Sequence, residues 1–412
     1  MEKATITTLV LILLACVLPT TQGHQNPKFD GANVSPVQIS VQSPQSETAP
    51  ASRRGKSEVH YDFSSFIEKH RKTIKDKIDA KEARCIAIGV VQGDDVVWAE
   101  GFGNAGQSSS EINVNRETNF AVMSLSKLMT ALAISRAMQE GYLDLDQPIS
   151  NYLPDLNLNS PFEDRPEDTI TLRHLLCHRA GFPHFVEDIT SYEKKSYREY
   201  IKAIETEPLI HKVDDQTAYS NSGYDLAGHI LAKVYGKTFE ESMEELLFAP
   251  LKMEQSTFDY DEVVKNKERA IGYNEDSPVL PVKIPCFASG GGFSNINDMI
   301  KLMKMILSEG KTKDGIFLKR EYFERVLSPR GILKDQESQG YALGIFKGEN
   351  RYKKRVFPIF THTGEGWGYT CDLLLCLELR LGLVILANAG GYDLRWRGQL
   401  TDDLYRILFS SE

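Results

Sequence analysis

Cysteine is scarce in this chain of 412 residues: Cys16, Cys85, Cys177, Cys286, Cys371 and Cys376, with no pair in Cys-x-x-Cys spacing. That argues against a disulfide-stapled scaffold or a Cys-x-x-Cys redox motif. Cys371 and Cys376 stand five apart in one apolar, strand-like run, so their side chains point to opposite faces, and buried free thiols are expected. Basic blocks are missing too. The net charge is −9, and no nucleic-acid footprint is present. No apolar run is long enough for a comfortable membrane span, since the longest extends only from Leu9 to Leu18. No internal repeat is visible. What is present is a globular composition, 41% hydrophobic and 25% charged, on a chain long enough for a large core.

The Leu9–Leu18 run follows a short charged start with Lys3 and fits the core of a signal peptide over residues 1–23. Within it, "LLAC" has the look of a lipobox ending at Cys16; ordinary cleavage near Gly23 is the alternative. Export to the periplasm or the extracellular space is therefore expected, with a possible membrane tether through the N-terminus. Residues 24–58 are rich in Ser, Pro, Gln and Asn and read as a disordered linker. Folded structure is expected over 59–412. "CIAIGVVQGDDVVWAEGFG" is two β-rich runs around a turn. From about 120 to 310 the pattern is mostly helix and loop. Strand signals return in "RVFPIFTH", "YTCDLLLCLEL" and "LGLVILANAG". Strands so far apart share a sheet only if the middle is an insertion. The expectation is a mixed α/β fold: an antiparallel sheet flanked by helices, with an inserted helical subdomain.

Three short motifs carry chemistry. Ser124 and Lys127 open the helical stretch "SLSKLMTALAISRAMQEG". A serine hydroxyl needs a neighbouring base to become a nucleophile, and residues three apart on a helix share a face. The spacing alone does not decide, because Ser191–Lys194 and Ser308–Lys311 repeat it. Tyr219-Ser220-Asn221 is the only Tyr-x-Asn among seventeen tyrosines, and His362-Thr363-Gly364 the only His-Thr-Gly. A rival lies in "HLLCH", where His174 and His178 stand four apart with Cys177 between them and His184 beyond. That spacing suits zinc on a helix, but it lacks the glutamate of a His-Glu-x-x-His helix. No metal and no cofactor is expected.

In this order the motifs resemble the serine β-lactamase-like superfamily, on the side of class C β-lactamases, DD-peptidases, family VIII-type esterases and LACTB-like proteins. Relatives carry Ser-x-x-Lys, Ser-Asp-Asn and Lys-Thr-Gly; here Tyr-Ser-Asn and His-Thr-Gly stand in the second and third places. The resemblance covers roughly residues 62–409. It implies a β-lactamase/transpeptidase-like fold and a serine hydrolase that acts on ester or amide bonds of a small-molecule or peptide substrate through an acyl-enzyme. Ser124 would be the nucleophile, with Lys127 and Tyr219 as base and proton relay. Asn221, His362, Thr363 and Gly364 would bind substrate, and the backbone N–H groups of Ser124 and Glu365 would form the oxyanion hole. DD-carboxypeptidase or β-lactamase activity is the alternative within the class; a non-catalytic scaffold is the alternative outside it. An unperturbed imidazole titrates near about 6.5. His362 would then line the cleft either as a wall residue without a charge role or as an imidazolium that binds substrate carboxylates, and in the second case the preference for a carboxylate is expected to fade between about pH 6 and 8.

Overall fold

The computed structural model describes residues 61–106, 113–186, 197–279, 287–328, 331–332 and 340–410. The expected leader and linker, with Cys16, lie outside the described residues, as do Cys286 and the Ser191–Lys194 pair. The elements below belong to one unit, Phe63–Glu412. Helix α1 (Ser64–Asp79) buries Phe66, His70 and Ile74, four residues apart and so on one face. Strands β1 (Cys85–Gln92) and β2 (Asp95–Gly103) form the expected hairpin. It turns at Gly93, whose φ of +64° suits glycine. The middle of the chain supplies helices α2 (Ser126–Gln139), α3 (Tyr197–Thr206), α4 (Asn221–Tyr235) and α5 (Ile296–Leu307). Then come β3 (Gly331–Ile332), β4 (Gly340–Tyr341), β5 (Phe346–Tyr352), β6 (Arg355–Gly366), β7 (Tyr369–Cys376), β8 (Leu381–Ala387) and helix α6 (Arg397–Leu408).

These eight strands make one sheet in the order β2-β1-β8-β7-β6-β5-β4-β3, each neighbour antiparallel. The first hairpin is stitched to the last strand, with Ile86 opposite Ala387 and Gln92 opposite Leu381. Strands from the two ends of the chain thus share one sheet, and the helical middle is the insertion between them. Both faces of the sheet centre are covered. On one side Phe66 of α1 meets Trp98 of β2, ring centroids 6.0 Å apart, and His70 Nε2 meets Asp403 Oδ2 of α6 at 2.9 Å. On the other, α5 lies so close that a Cβ on Gly89 would stand 3.1 Å from Ile296. Double cover explains why β7 and β8 are buried along their whole length and read as continuous apolar runs, not as alternation.

Helix α2 is no surface helix: twelve of its fourteen residues are buried. A surface helix keeps a polar face, whereas α2 is enclosed by the inserted helices, so its start is held by packing on all sides. The described cysteines, Cys85, Cys177, Cys371 and Cys376, are buried free thiols. Among the described residues no helix is long and apolar enough to cross a membrane.

Candidate active site

Ser124 lies just before α2, in a tight 3₁₀ turn, Met123–Leu125. The turn leaves a short strand, Phe120–Ala121, paired with Phe293–Ser294. Met123 is held at a φ of +46°, a costly conformation for a non-glycine residue that persists only where the surroundings impose it. Here Val122 N–H donates to the Gly292 carbonyl at 2.9 Å, and the Cys371 thiol donates to the Val122 carbonyl at 2.9 Å. Ser124 is half-buried, within reach of a ligand. Ser126 is not: it is fully enclosed and its hydroxyl accepts the Gly292 N–H at 3.0 Å.

Lys127, also fully buried, brings the dispersed motifs together. Its Nζ donates to Ser124 Oγ at 3.2 Å, to Asn221 Oδ1 at 2.6 Å and to the Ser289 carbonyl at 2.8 Å. Three acceptors match the three donors of an ammonium group. The same nitrogen sits 4.7 Å from the centroid of the Tyr219 ring. Asn221 therefore holds the lysine with the oxygen of its amide. The rival pair Ser308–Lys311 has no such arrangement: Ser308 Oγ accepts from Arg380 at 3.2 Å, and Lys311 is exposed.

Strand β6 forms the facing wall. A Cβ on Gly364 would stand 2.6 Å from the Val122 carbonyl and 2.9 Å from Met123 Cβ, so only glycine lets the strand lie against the nucleophile turn. Thr363 is half-buried opposite Asp372, and Glu365 follows opposite Thr370. His362 corrects an expectation. It is 2% exposed, and burial, aided by the charge of Lys127, pulls its pKa down to about 3. Its Nδ1 faces the Thr363 carbonyl at 2.6 Å, which can only accept, so Nε2 is the acceptor toward the Tyr341 hydroxyl at 3.1 Å. The ring is neutral over the whole range in which it was expected to titrate. Its environment opposes the imidazolium pairing expected for a substrate carboxylate.

The zinc alternative loses its premise. The helix that carries His174 ends at Leu176, and His178 lies beyond it with a φ of +59°. His174 Nδ1 accepts the Thr171 N–H at 3.0 Å. His178 Nδ1 accepts the Ser220 N–H at 3.0 Å, and its ring packs 4.3 Å from Tyr219 and 4.4 Å from Tyr341. The half-buried His184 stands 5.5 Å from Tyr219, its pKa lowered to about 4 by burial and by Lys127. His178 and His184, with Tyr341, surround Tyr219 and belong to the site, although the motifs did not assign them to it. Only long-range packing brings them there.

A family model described as Beta-lactamase matches residues 70–401. Among curated proteins, Beta-lactamase-like protein 4 of Dictyostelium discoideum is 25% identical over 331 residues, covering 75% of this chain and 57% of that protein. Protein flp of Staphylococcus aureus (strain MW2) is 26% identical over 310 residues, covering 73% and 59%. The chain thus spans less than two thirds of the length of these relatives. Among solved structures, the octameric penicillin-binding protein homologue from Pyrococcus abyssi superposes with a TM-score of 0.69 at 26% identity, over 84% of this chain and 77% of that one. A beta-lactamase/D-alanine carboxypeptidase from Pseudomonas syringae gives 0.68 at 20% identity, over 85% and 99%. The latter likeness is one of fold.

Proposed function

The chain belongs to the beta-lactamase family, and from that premise we propose that it is a serine hydrolase acting through an acyl-enzyme at Ser124. The observation that carries this reading is the 3.2 Å approach of the fully buried Lys127 Nζ to the half-buried Ser124 Oγ. As Oγ attacks the substrate carbonyl, its proton passes to Lys127, which must first have shed the ammonium proton it directs at Oγ, with Tyr219 beside it as relay. The ammonium so formed keeps Asn221 Oδ1 and the Ser289 carbonyl as acceptors. The proton then reaches the leaving alkoxide or amine, and water, activated by the same groups, releases the acid. Oxyanion stabilisation is assigned to the backbone N–H groups of Ser124 and Glu365.

The neutral His362 ring, packed beside Tyr341 and Phe346, favours an ester without a carboxylate near the scissile bond, since this imidazole supplies no charge to receive one. Turnover of D-amino-acid peptides or β-lactams is the second reading, supported by the fold shared with the Pseudomonas syringae protein. Export directed by residues 1–23 and a tether at Cys16 belong to the proposal as well. The test is a fluorophosphonate probe on the purified protein, followed by peptide mapping and a panel of p-nitrophenyl esters, nitrocefin and a D-Ala-D-Ala peptide. The adduct should sit on Ser124 and be absent from Ser124→Ala. Lys127→Ala should slow acylation by about 10²–10⁴, the contribution of a positioned base. No adduct in the wild type, or one on Ser308, would remove the acyl-enzyme reading and leave the scaffold alternative.

A further inference from the structure

Helix α4 carries two polar side chains one turn apart, Asn221 and Asp225, and so on one face. The first holds Lys127 directly. The second is fully buried and plays no part in the chemistry above. Asp225 Oδ1 accepts the Ser289 N–H at 2.9 Å, and Oδ2 accepts the Tyr200 hydroxyl of α3 at 2.7 Å. Ser289 is the residue whose carbonyl accepts from Lys127 at 2.8 Å. One peptide segment thus has its N–H tied to Asp225 and its C=O set on the lysine. The segment has little freedom to move. It lies in a short helix, Phe287–Gly290, where the Ala288 carbonyl accepts from Thr130 at 2.7 Å. A Cβ on Gly228 would stand 2.5 Å from Ala288 Cβ, so α4 and this helix are in close contact.

The geometry points to Asp225 as a positioning residue for Lys127: it fixes the Ser289 carbonyl against Nζ and places a negative charge behind the lysine, stabilising the ammonium formed when Ser124 gives up its proton. This rests on the reading of Lys127 as the proton acceptor. A buried carboxyl is expensive unless it is well bonded, and a purely structural acceptor for Ser289 N–H needs no charge. Burial raises the Asp225 pKa to about 7, against the hydrogen bonds from Tyr200 and Ser289 and the charge of Lys127. The groups facing it are Tyr200 from α3, Ser289 from the short helix and Lys127 from α2. Around Lys127 itself stand Tyr219 and Tyr224, together with His178, His184 and His362, whose pKa values are all lowered by burial and by the lysine. These imidazoles are neutral near pH 7, so they neither mimic nor mask the carboxylate.

The test is the pH dependence of acylation of the full chain by a neutral fluorophosphonate, with the adduct mapped first in the wild type. Asp225→Asn keeps the shape and a hydrogen-bond acceptor for Ser289 but removes the charge. The acid limb of its rate profile should move to lower pH by about 0.5–1 unit, less than the 1–3 units of a charge in direct contact. Tyr200→Phe strips one hydrogen bond from the carboxylate, favours its protonation, and should move the limb the same way by a smaller amount. That variant decides the matter if Asp225→Asn does not fold. A purely structural role would lower the rate equally at every pH. A Ser124 adduct with an unmoved limb in the folded variants overturns the assignment of Asp225 and leaves the hydrolase reading standing. The absence of any Ser124 adduct in the wild type overturns both.

Discussion

Residue by residue, His362 shows how far burial alters the chemistry that a side-chain type suggests. In water its ring would switch charge near neutrality; here the pKa is about 3 because a charged imidazole would have neither water nor an anion to solvate it, and Lys127 repels it. Protonation would begin only as the pH falls toward 4. The ratio of kcat/KM for a carboxylate-bearing ester to that for its neutral isostere cancels the titration of Lys127 and Tyr219. It should stay within about twofold from pH 5.5 to 8, since a group titrates appreciably only within about a unit of its pKa. A ratio that falls steadily over this range would mean that the ring gains a proton when substrate binds. His362→Lys should raise the ratio, provided that the ammonium survives beside Lys127.

At the level of elements, the site depends on strand β6 lying against the turn that carries Ser124. Gly364 makes that contact possible. In Gly364→Ala the new methyl would meet Cys371 Sγ at 2.5 Å and the Val122 carbonyl at 2.6 Å. Neither the sulfur, held in β7, nor the carbonyl, bonded to it, has room to retreat. The strand or the turn must shift, and overpacking of this kind costs about 1–3 kcal/mol. The expected outcome is a lower unfolding midpoint in urea together with a loss of Ser124 labelling larger than the stability change explains, because Met123 is already held at a positive φ. Labelling at the wild-type rate would show that the turn tolerates a displaced strand.

For the molecule as a whole, the enclosed imidazoles make stability depend on pH. His178, His184 and His362 are held neutral in the folded state, with pKa values well below 6.5, about 4 and about 3. On unfolding each regains an ordinary pKa near about 6.5, so below that pH the unfolded chain binds more protons and stability falls as the pH drops toward the folded values. Each such group contributes a slope of about 1.4 kcal/mol per pH unit in that window. Asp225 works in the opposite sense. Its folded pKa, raised to about 7, favours the folded state at low pH and loses that effect as the pH rises from its unfolded value through 7, offsetting one imidazole. Urea midpoints should therefore fall between pH 6.5 and 4.5. His178→Gln, although less stable at neutral pH, should show a shallower fall than the wild type. Equal slopes in the two proteins would exclude His178 as a contributor.

Much of this was legible in the chain itself. Ser124 and Lys127 are three apart, the β1–β2 turn is marked by Gly93, and the late apolar runs announce β6, β7 and β8, because these are local patterns that the backbone converts directly into geometry. The motif order Ser-x-x-Lys, Tyr-x-Asn, His-Thr-Gly named candidate residues, of which the fold brings Ser124, Lys127, Tyr219 and Asn221 together. Tertiary structure decided the rest. It enclosed α2, separated His174 from His178 by ending a helix between them, and set Ser289, 68 residues beyond Asn221 in the chain, against the lysine by no local rule. It also made His362 neutral and placed Asp225 behind Lys127. Spacing determines which side chains share a face, but charge state and partner depend on what water is excluded, and that exclusion is created only when distant segments pack together.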